Sequence, residues 1–140
     1  MTAEKIVVEW YDAEKTMIVF TFYEGWTVEA FKRSYQQALE MTATVTHLVG
    51  YICDLSDSPS FPVRIFEAAY YTERNVLPNL YMTVLVNPPR IAHVIIGTLR
   101  RVKLTIIDHI TLADSVEAAA AILRTDAEKA QPLMEGTGQS

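Results

Sequence analysis

The sequence is poor in the residues that announce chemistry. Its single cysteine, Cys53, excludes an internal disulfide and a multi-cysteine zinc site. His47, His93 and His109 are its only histidines, and they show no HxH or HxxxH spacing, so no metal site is written in the local sequence. The five glycines, Gly25, Gly50, Gly97, Gly136 and Gly138, form no phosphate cradle, and GxGxxG, GxxxxGK[ST], GxSxG and HExxH are all absent. Positive charge is scarce: 12 Lys and Arg face 17 Asp and Glu, for a net charge of -5. That balance argues against non-specific binding to nucleic acid, and no nucleic-acid partner is expected, since displacing counterions from phosphates takes a basic face. No apolar run approaches the roughly 20 residues of a membrane span. The start, Met1 to Lys5, lacks the basic then apolar pattern of a secretory leader. These absences predict a cytoplasmic protein with no membrane insertion, no metal and no cofactor.

What is present is apolar and aromatic. Half of the 140 residues are hydrophobic, with 7 Tyr, 5 Phe and 2 Trp among them. That length suits one domain able to bury a core without staples. From Asp126 to Ser140 the composition turns to Glu, Lys, Gln, Pro, Gly and Ser, which predicts a single domain over 1–125 and a flexible tail over 126–140.

Periodicity sets the elements. Ile6, Val8 and Trp10 alternate with Lys5, Val7 and Glu9, as in a half-buried strand, and after a turn at Tyr11 to Lys15 the segment Met17 to Tyr23 is β-branched and aromatic. Thr27 is the expected N-cap of a helix whose inner stripe is Val28, Phe31, Tyr35, Ala38, Leu39 and Thr42. His47 to Cys53 has no alternation and predicts a central strand buried on both faces. A second helix is expected from about Pro62 to Val76, with Val63, Phe66, Ala69, Tyr70 and Leu77 inward. Leu80 to Val86 reads as another central strand. Asn87-Pro88-Pro89 reads as the cap of a third helix, Arg90 to Val102, with Ile91, Val94, Ile95, Thr98 and Val102 as its stripe. Leu104 to Ile110 reads as the last strand, and Asp114 with Glu117 as the capping box of a final helix packing Val116, Ala119, Ala120 and Leu123. The order β-β-α-β-α-β-α-β-α predicts an α/β fold with a mixed, mostly parallel sheet of about five strands and packed helices.

Candidate functional residues cluster after the central strand. Asp54 falls where α/β sheets gather their sites, or else it caps its own loop. Ser56, Ser58 and Ser60 offer hydroxyls ahead of a helix, where a phosphate would meet a favourable dipole; the same composition also makes an ordinary turn and cap. Cys53, inside an apolar strand, reads as core packing with an inert thiol. The histidines lack a nucleophile or carboxylate at fixed spacing and read as surface or interface residues. Of the adjacent Tyr70 and Tyr71, one must point away from the face the other occupies. An exposed one among apolar neighbours would mark a protein interface.

Together the element order and two strings resemble the STAS domain, named for sulfate transporters and anti-sigma-factor antagonists, in its small stand-alone bacterial form. The strings are the apolar strand His47 to Cys53 followed by Asp54-Leu55-Ser56, and Thr111 to Ala119 with its D-S-x-E-x-A pattern. The likeness covers Glu4 to Arg124. In the antagonists a serine in a D-S-[ST]-G string at the start of the second helix is phosphorylated, which blocks binding to the anti-sigma factor. Ser60, in Ser58-Pro59-Ser60-Phe61, falls at that position, but the aspartate and glycine are missing and the loop is shorter. The resemblance implies a non-enzymatic regulatory or protein-binding module without an intact phosphorylation motif. It would act through a protein partner, as a homodimer, using the loop of Asp54, Ser56, Ser58 and Ser60. The alternative is a small-molecule carrier for a lipid or nucleotide, with an apolar pocket between helix layer and sheet. An enzyme would need a cleft pairing Asp54 with a histidine, and no such pairing is visible.

Overall fold

The computed structural model of the protein describes residues 5–138, with side chains over 5–127. Strands β1 (Ile6–Trp10), β2 (Met17–Tyr23), β3 (Val49–Asp57), β4 (Leu80–Val86) and β5 (Ile110–Ala113) alternate after the first hairpin with helices α1 (Val28–Thr42), α2 (Ile65–Arg74) and α3 (Ile91–Arg101), and α4 (Val116–Gly138) closes the chain. The architecture is α/β with a mixed, mostly parallel five-stranded sheet, in the order read from sequence. The stretch 126–140, expected as a flexible tail, lies for the most part outside the residues described with side chains.

The sheet runs β1-β2-β3-β4-β5, so the chain steps sideways in one direction. β1 pairs antiparallel with β2 (Ile6 opposite Phe22), and the remaining pairs are parallel. The hairpin turn is held by Asp12, whose Oδ1 accepts from the Thr16 and Met17 amides at 2.9 and 3.2 Å. Crossovers between parallel strands are right-handed. Three of them made in one direction put α1, α2 and α3 over the same sheet face. That leaves the other face to α4, where Ala119, Ala120 and Leu123 pack on Met17, Val19, Ile52 and Val84. Gly50 makes this approach possible: a Cβ there would lie 2.8 Å from Leu123 Cδ2.

On the first face α1 packs tightly. Thr27 caps it by accepting from the Ala30 amide at 3.1 Å, and Tyr35 and Ala38 are buried against Phe20 and Tyr51. The other two crossover helices depart from the expected pattern. The inner face of α2 is Ile65, Ala68, Ala69 and Thr72, whereas Val63 is fully exposed at 100% and Phe66 and Tyr70 face outward. On α3 the buried residues are Ala92, Ile95 and Leu99, and Ile91, Val94 and Val102 are exposed. α2 starts later than expected, at Ile65, and α3 starts at Ile91, beside the expected Arg90. Asn87, at φ 49, is a tether instead of a helix cap, donating to Ser56 Oγ at 2.9 Å and to the Asp114 carbonyl at 3.1 Å.

The expected last strand is also displaced. Thr105–His109 forms a 3-10 helix that buries Ile107 beside Ile95 and Leu99, and pairing with β4 begins only at Ile110, opposite Thr83. Ser115, not Asp114, caps α4: its Oγ accepts from the Ala118 amide at 3.0 Å. Among the described residues no helix is long and apolar enough to cross a membrane.

Candidate functional site: an apolar cavity under the second and third helices

The inner faces of α2 and α3 present alanines to the sheet. Side chains as short as Ala68, Ala69 and Ala92 cannot span the distance to a pleated surface, and a cavity of about 330 Å³ remains between the two helices and β2, β3 and β4. Apolar voids of that size are unusual in a close-packed interior, and the volume falls at the lower end of the range for ligand pockets.

The walls follow from strand alternation. β3 turns Tyr51, Cys53 and Leu55 toward the cavity, and β2 contributes Phe20 and Phe22. Trp26, Phe31 and Phe61 close the end nearest the start of α2. The opposite end is more polar, with Glu73, Thr105 and His109 at the rim. Glu73 is spoken for: Oε2 accepts from the Thr105 hydroxyl at 2.6 Å and its amide at 3.2 Å, and Oε1 from the Ile106 amide at 2.9 Å. The Thr105 hydroxyl, with those amides, holds the Glu73 carboxyl below its ordinary pKa. Burial pushes the half-buried Cys53 thiol up to about 12, so it is an apolar wall group and not a nucleophile.

Two buried tyrosines meet at this wall and differ in one respect. Tyr51 hydroxyl lies 2.7 Å from Thr42 Oγ1, which itself donates to the Ala38 carbonyl at 2.7 Å. Threonine has one hydroxyl proton, so Tyr51 is the donor in the first of these bonds and is satisfied. Tyr35, only 3% exposed, has a hydroxyl with no hydrogen-bond partner. Its ring is fixed by neighbours, with centroids 5.6 Å from Phe31 and 6.0 Å from Tyr51 and Tyr71. Desolvation is the first cause of the rise in its pKa, above that of Tyr51, which burial lifts to about 12.

α2 is also fastened at its edges. Arg64 reaches Glu29 on α1 at 2.7 Å and Glu67 at 2.6 Å, and Lys32 on α1 meets the same Glu67 at 2.7 Å. Glu73 ties its last turn to the 3-10 helix. The segment thus roofs the cavity with ion pairs to α1 on one side and the Glu73 hydrogen bonds on the other, while Ile65, Ala68 and Tyr71 pack against the core beneath it.

The residues singled out from sequence lie beside this cavity and do not converge. Asp54 sits within β3, which runs on to Asp57, and shares the sheet face of Gly50 and Ile52, away from the cavity. Its Oδ1 accepts from the Ser56 amide at 3.0 Å, the local loop-closing role. Ser56 is exposed and tied to Asn87. Ser58 is 0% exposed: Oγ accepts from Trp26 Nε1 at 2.9 Å and donates to the Ser60 carbonyl at 3.0 Å. Ser60 is exposed, but its hydroxyl donates to Glu24 Oε1 at 2.7 Å, and α2 begins only at Ile65. A shallow outer groove, bordered by Ser56, Ser60, Val63, Phe66, Ile91 and Val94, lies on the far side of the same loop. His47 and His93 are exposed and remote from the cavity.

The cavity lining on α2 was missed in the sequence because Val63, Phe66 and Tyr70 read as the inner face beside Ala69, where Ala68 stands instead. Among the described residues no group of three His, Cys, Asp or Glu could hold a metal ion. No protein-family model matches the chain, and a search of curated proteins finds no match.

Proposed function

We propose that this chain is a binding protein for a small apolar molecule, a carrier or sensor that holds its ligand between the sheet and helices α2 and α3. One observation carries the reading: an apolar cavity of about 330 Å³ under a helix whose inner face is short and whose ties to α1 are ion pairs at the surface. Filling such a space gains dispersion contacts that an empty wall forgoes, and α2 can swing out by breaking ion pairs that contribute little at a surface. Of the lipid or nucleotide weighed from sequence, the apolar lining favours a lipid-like molecule. A nucleotide's phosphates would need cations or a cluster of amides, and among the described residues no lysine or arginine lines the wall.

The test is native mass spectrometry of the protein purified without denaturant, joined to thermal unfolding with a panel of apolar probes. A mass excess lost on denaturation, or a rise in unfolding temperature that follows probe concentration, supports the reading. No retained mass and no probe-dependent shift would sink it.

A second reading keeps the STAS-like regulatory module. The exposed Val63, Phe66, Ile91 and Val94 around the outer groove favour it, since apolar side chains grouped at a rim suit a protein partner. The loop carrying Leu55 and Phe61 borders both cavity and groove, so occupancy of one could bias binding at the other.

A further inference from the structure

We infer that the ligand of this cavity is neutral and carries a hydrogen-bond acceptor, of the carbonyl class, that takes the proton of the Tyr35 hydroxyl. The inference rests on the ligand-binding reading above and adds the chemistry of the ligand's polar end. Tyr35 lines the cavity, is 3% exposed, and holds the one buried side-chain polar atom without a partner among the described residues. A buried hydroxyl left unpaired is costly, and native interiors rarely keep one without a reason. Its neighbour Tyr51, in the same aromatic cluster, is fully paired through Thr42, so the local fold is able to satisfy a phenol when nothing else is meant to.

The group that answers Tyr35 is an acceptor. A phenol donates better than it accepts, because its ring draws density from the oxygen lone pairs. The ring is clamped by Phe31, Tyr51 and Tyr71, which leaves the hydroxyl little freedom and makes it a preorganised donor.

The absence of charge follows from the wall. Among the described residues no lysine or arginine lines the cavity; at its rim stand the exposed imidazole of His109 and the Glu73 carboxylate, which already accepts from Thr105 and Ile106. A ligand carboxylate placed at the Tyr35 hydroxyl would sit among the rings of Phe20, Phe31 and Tyr51 with that phenol as its donor, and buried anions need more than that. A ketone, aldehyde or ester needs only the one donor. The aromatic wall of Phe20, Phe22, Trp26 and Phe61 suits a flat or alkyl body.

Three probes of nearly equal size separate these statements: 2-acetylnaphthalene, 2-ethylnaphthalene and 2-naphthoate, measured by calorimetry on the full chain and on Tyr35→Phe. The ketone should bind wild type about tenfold more tightly than the hydrocarbon, and the carboxylate most weakly of the three. Tyr35→Phe should erase the ketone's advantage and leave hydrocarbon binding unchanged. Without ligand, the variant should unfold at the same temperature as wild type or higher, because the hydroxyl it removes has no partner to lose. Equal binding of ketone and hydrocarbon to wild type overturns the inference and leaves the cavity a binding site; so does a carboxylate that binds best. Failure of all three probes overturns the binding-site reading and the inference with it.

Discussion

Ser58 and Ser60 stand two positions apart in one loop and have opposite physical roles. Ser58 is buried, and its hydroxyl both accepts from the Trp26 indole and donates to the Ser60 carbonyl. It joins the start of α1 to the loop before α2, which is why a serine stands in an aromatic corner formed by Trp26, Phe22 and Phe61. Ser58→Ala leaves a buried indole N–H unanswered and should cost about 1–3 kcal/mol, read as a lower urea midpoint with unchanged slope. Ser60 is exposed and bonded to Glu24, an exposed acid. Ser60→Ala should stay within about 0.5 kcal/mol of wild type. If Ser60→Ala is the damaging change, the loop is held from its exposed end and Ser60 is a structural residue. A phosphate on Ser60 would meet the Glu24 carboxylate at close range. A switch at that position would therefore act by repelling Glu24, not by docking on the helix.

Among the elements, β1, β2, α1 and the central strands were legible because each has one clear apolar face or none that is polar. α2 and α3 were misread by their faces, and the reason lies in particular residues. Val63, Phe66 and Tyr70 read as inward and face out, whereas Ala69, read as inward, and Ala68, passed over, face in. A helix apolar on two sides does not say which side the sheet receives, and the same ambiguity set Ile91 and Val94 above Ala92. Leu104 to Ile110 has the β-branched composition of a strand, but packing of Ile107 under α3 bends it into a 3-10 turn. The cavity and the unpaired Tyr35 hydroxyl had no sequence signal of their own, since both depend on what fails to reach them. The close seating of α4 is the sharpest element-level consequence of a single residue. Gly50→Ala would place a methyl 2.8 Å from Leu123 Cδ2, whose side chain is fully buried and has little room to give. It should destabilise by about 1–3 kcal/mol through overpacking. Leu123→Ala alone should cost about 2–5 kcal/mol, and the pair together should cost less than the sum, since the added methyl enters the space the leucine leaves. Strict additivity in that cycle would mean that α4 does not lean on Gly50.

At the scale of the whole molecule, the titrating groups bracket the neutral range and fix the shape of the stability curve. On the acid side, hydrogen bonds from Arg64 and then Lys32 hold Glu67 at about 2, and Arg64 and the Thr105 hydroxyl lower Glu29 and Glu73 from their ordinary value of 4.5. Depressed carboxyls stabilise the fold above the unfolded value, and that contribution is lost as pH falls from 4.5 through the folded values. Those on Glu29 and Glu67 are exposed ion pairs, so added salt should shrink their share of the loss. On the alkaline side, burial raises Tyr51, Tyr81 and Cys53 to about 12 and Tyr35 further. Here the sign reverses. Below the ordinary values of 9.0 and 10.0 these groups are neutral in both states and their contribution is complete. Above them the unfolded chain releases protons that the fold retains, and stability drains away until the folded values are reached. The urea midpoint should be level from about pH 5 to about pH 9 and fall on either side, with salt softening the acid limb more than the alkaline one. Tyrosinate absorbance should show Tyr35 and Tyr51 ionising together with the loss of circular dichroism, because burial holds both above their ordinary value while the fold stands. If those tyrosines instead titrate smoothly with the fold intact, the wall of the cavity admits water readily. α2 would then stand open in solution, and the space beneath it would be a wet cleft and not the dry pocket a neutral ligand requires.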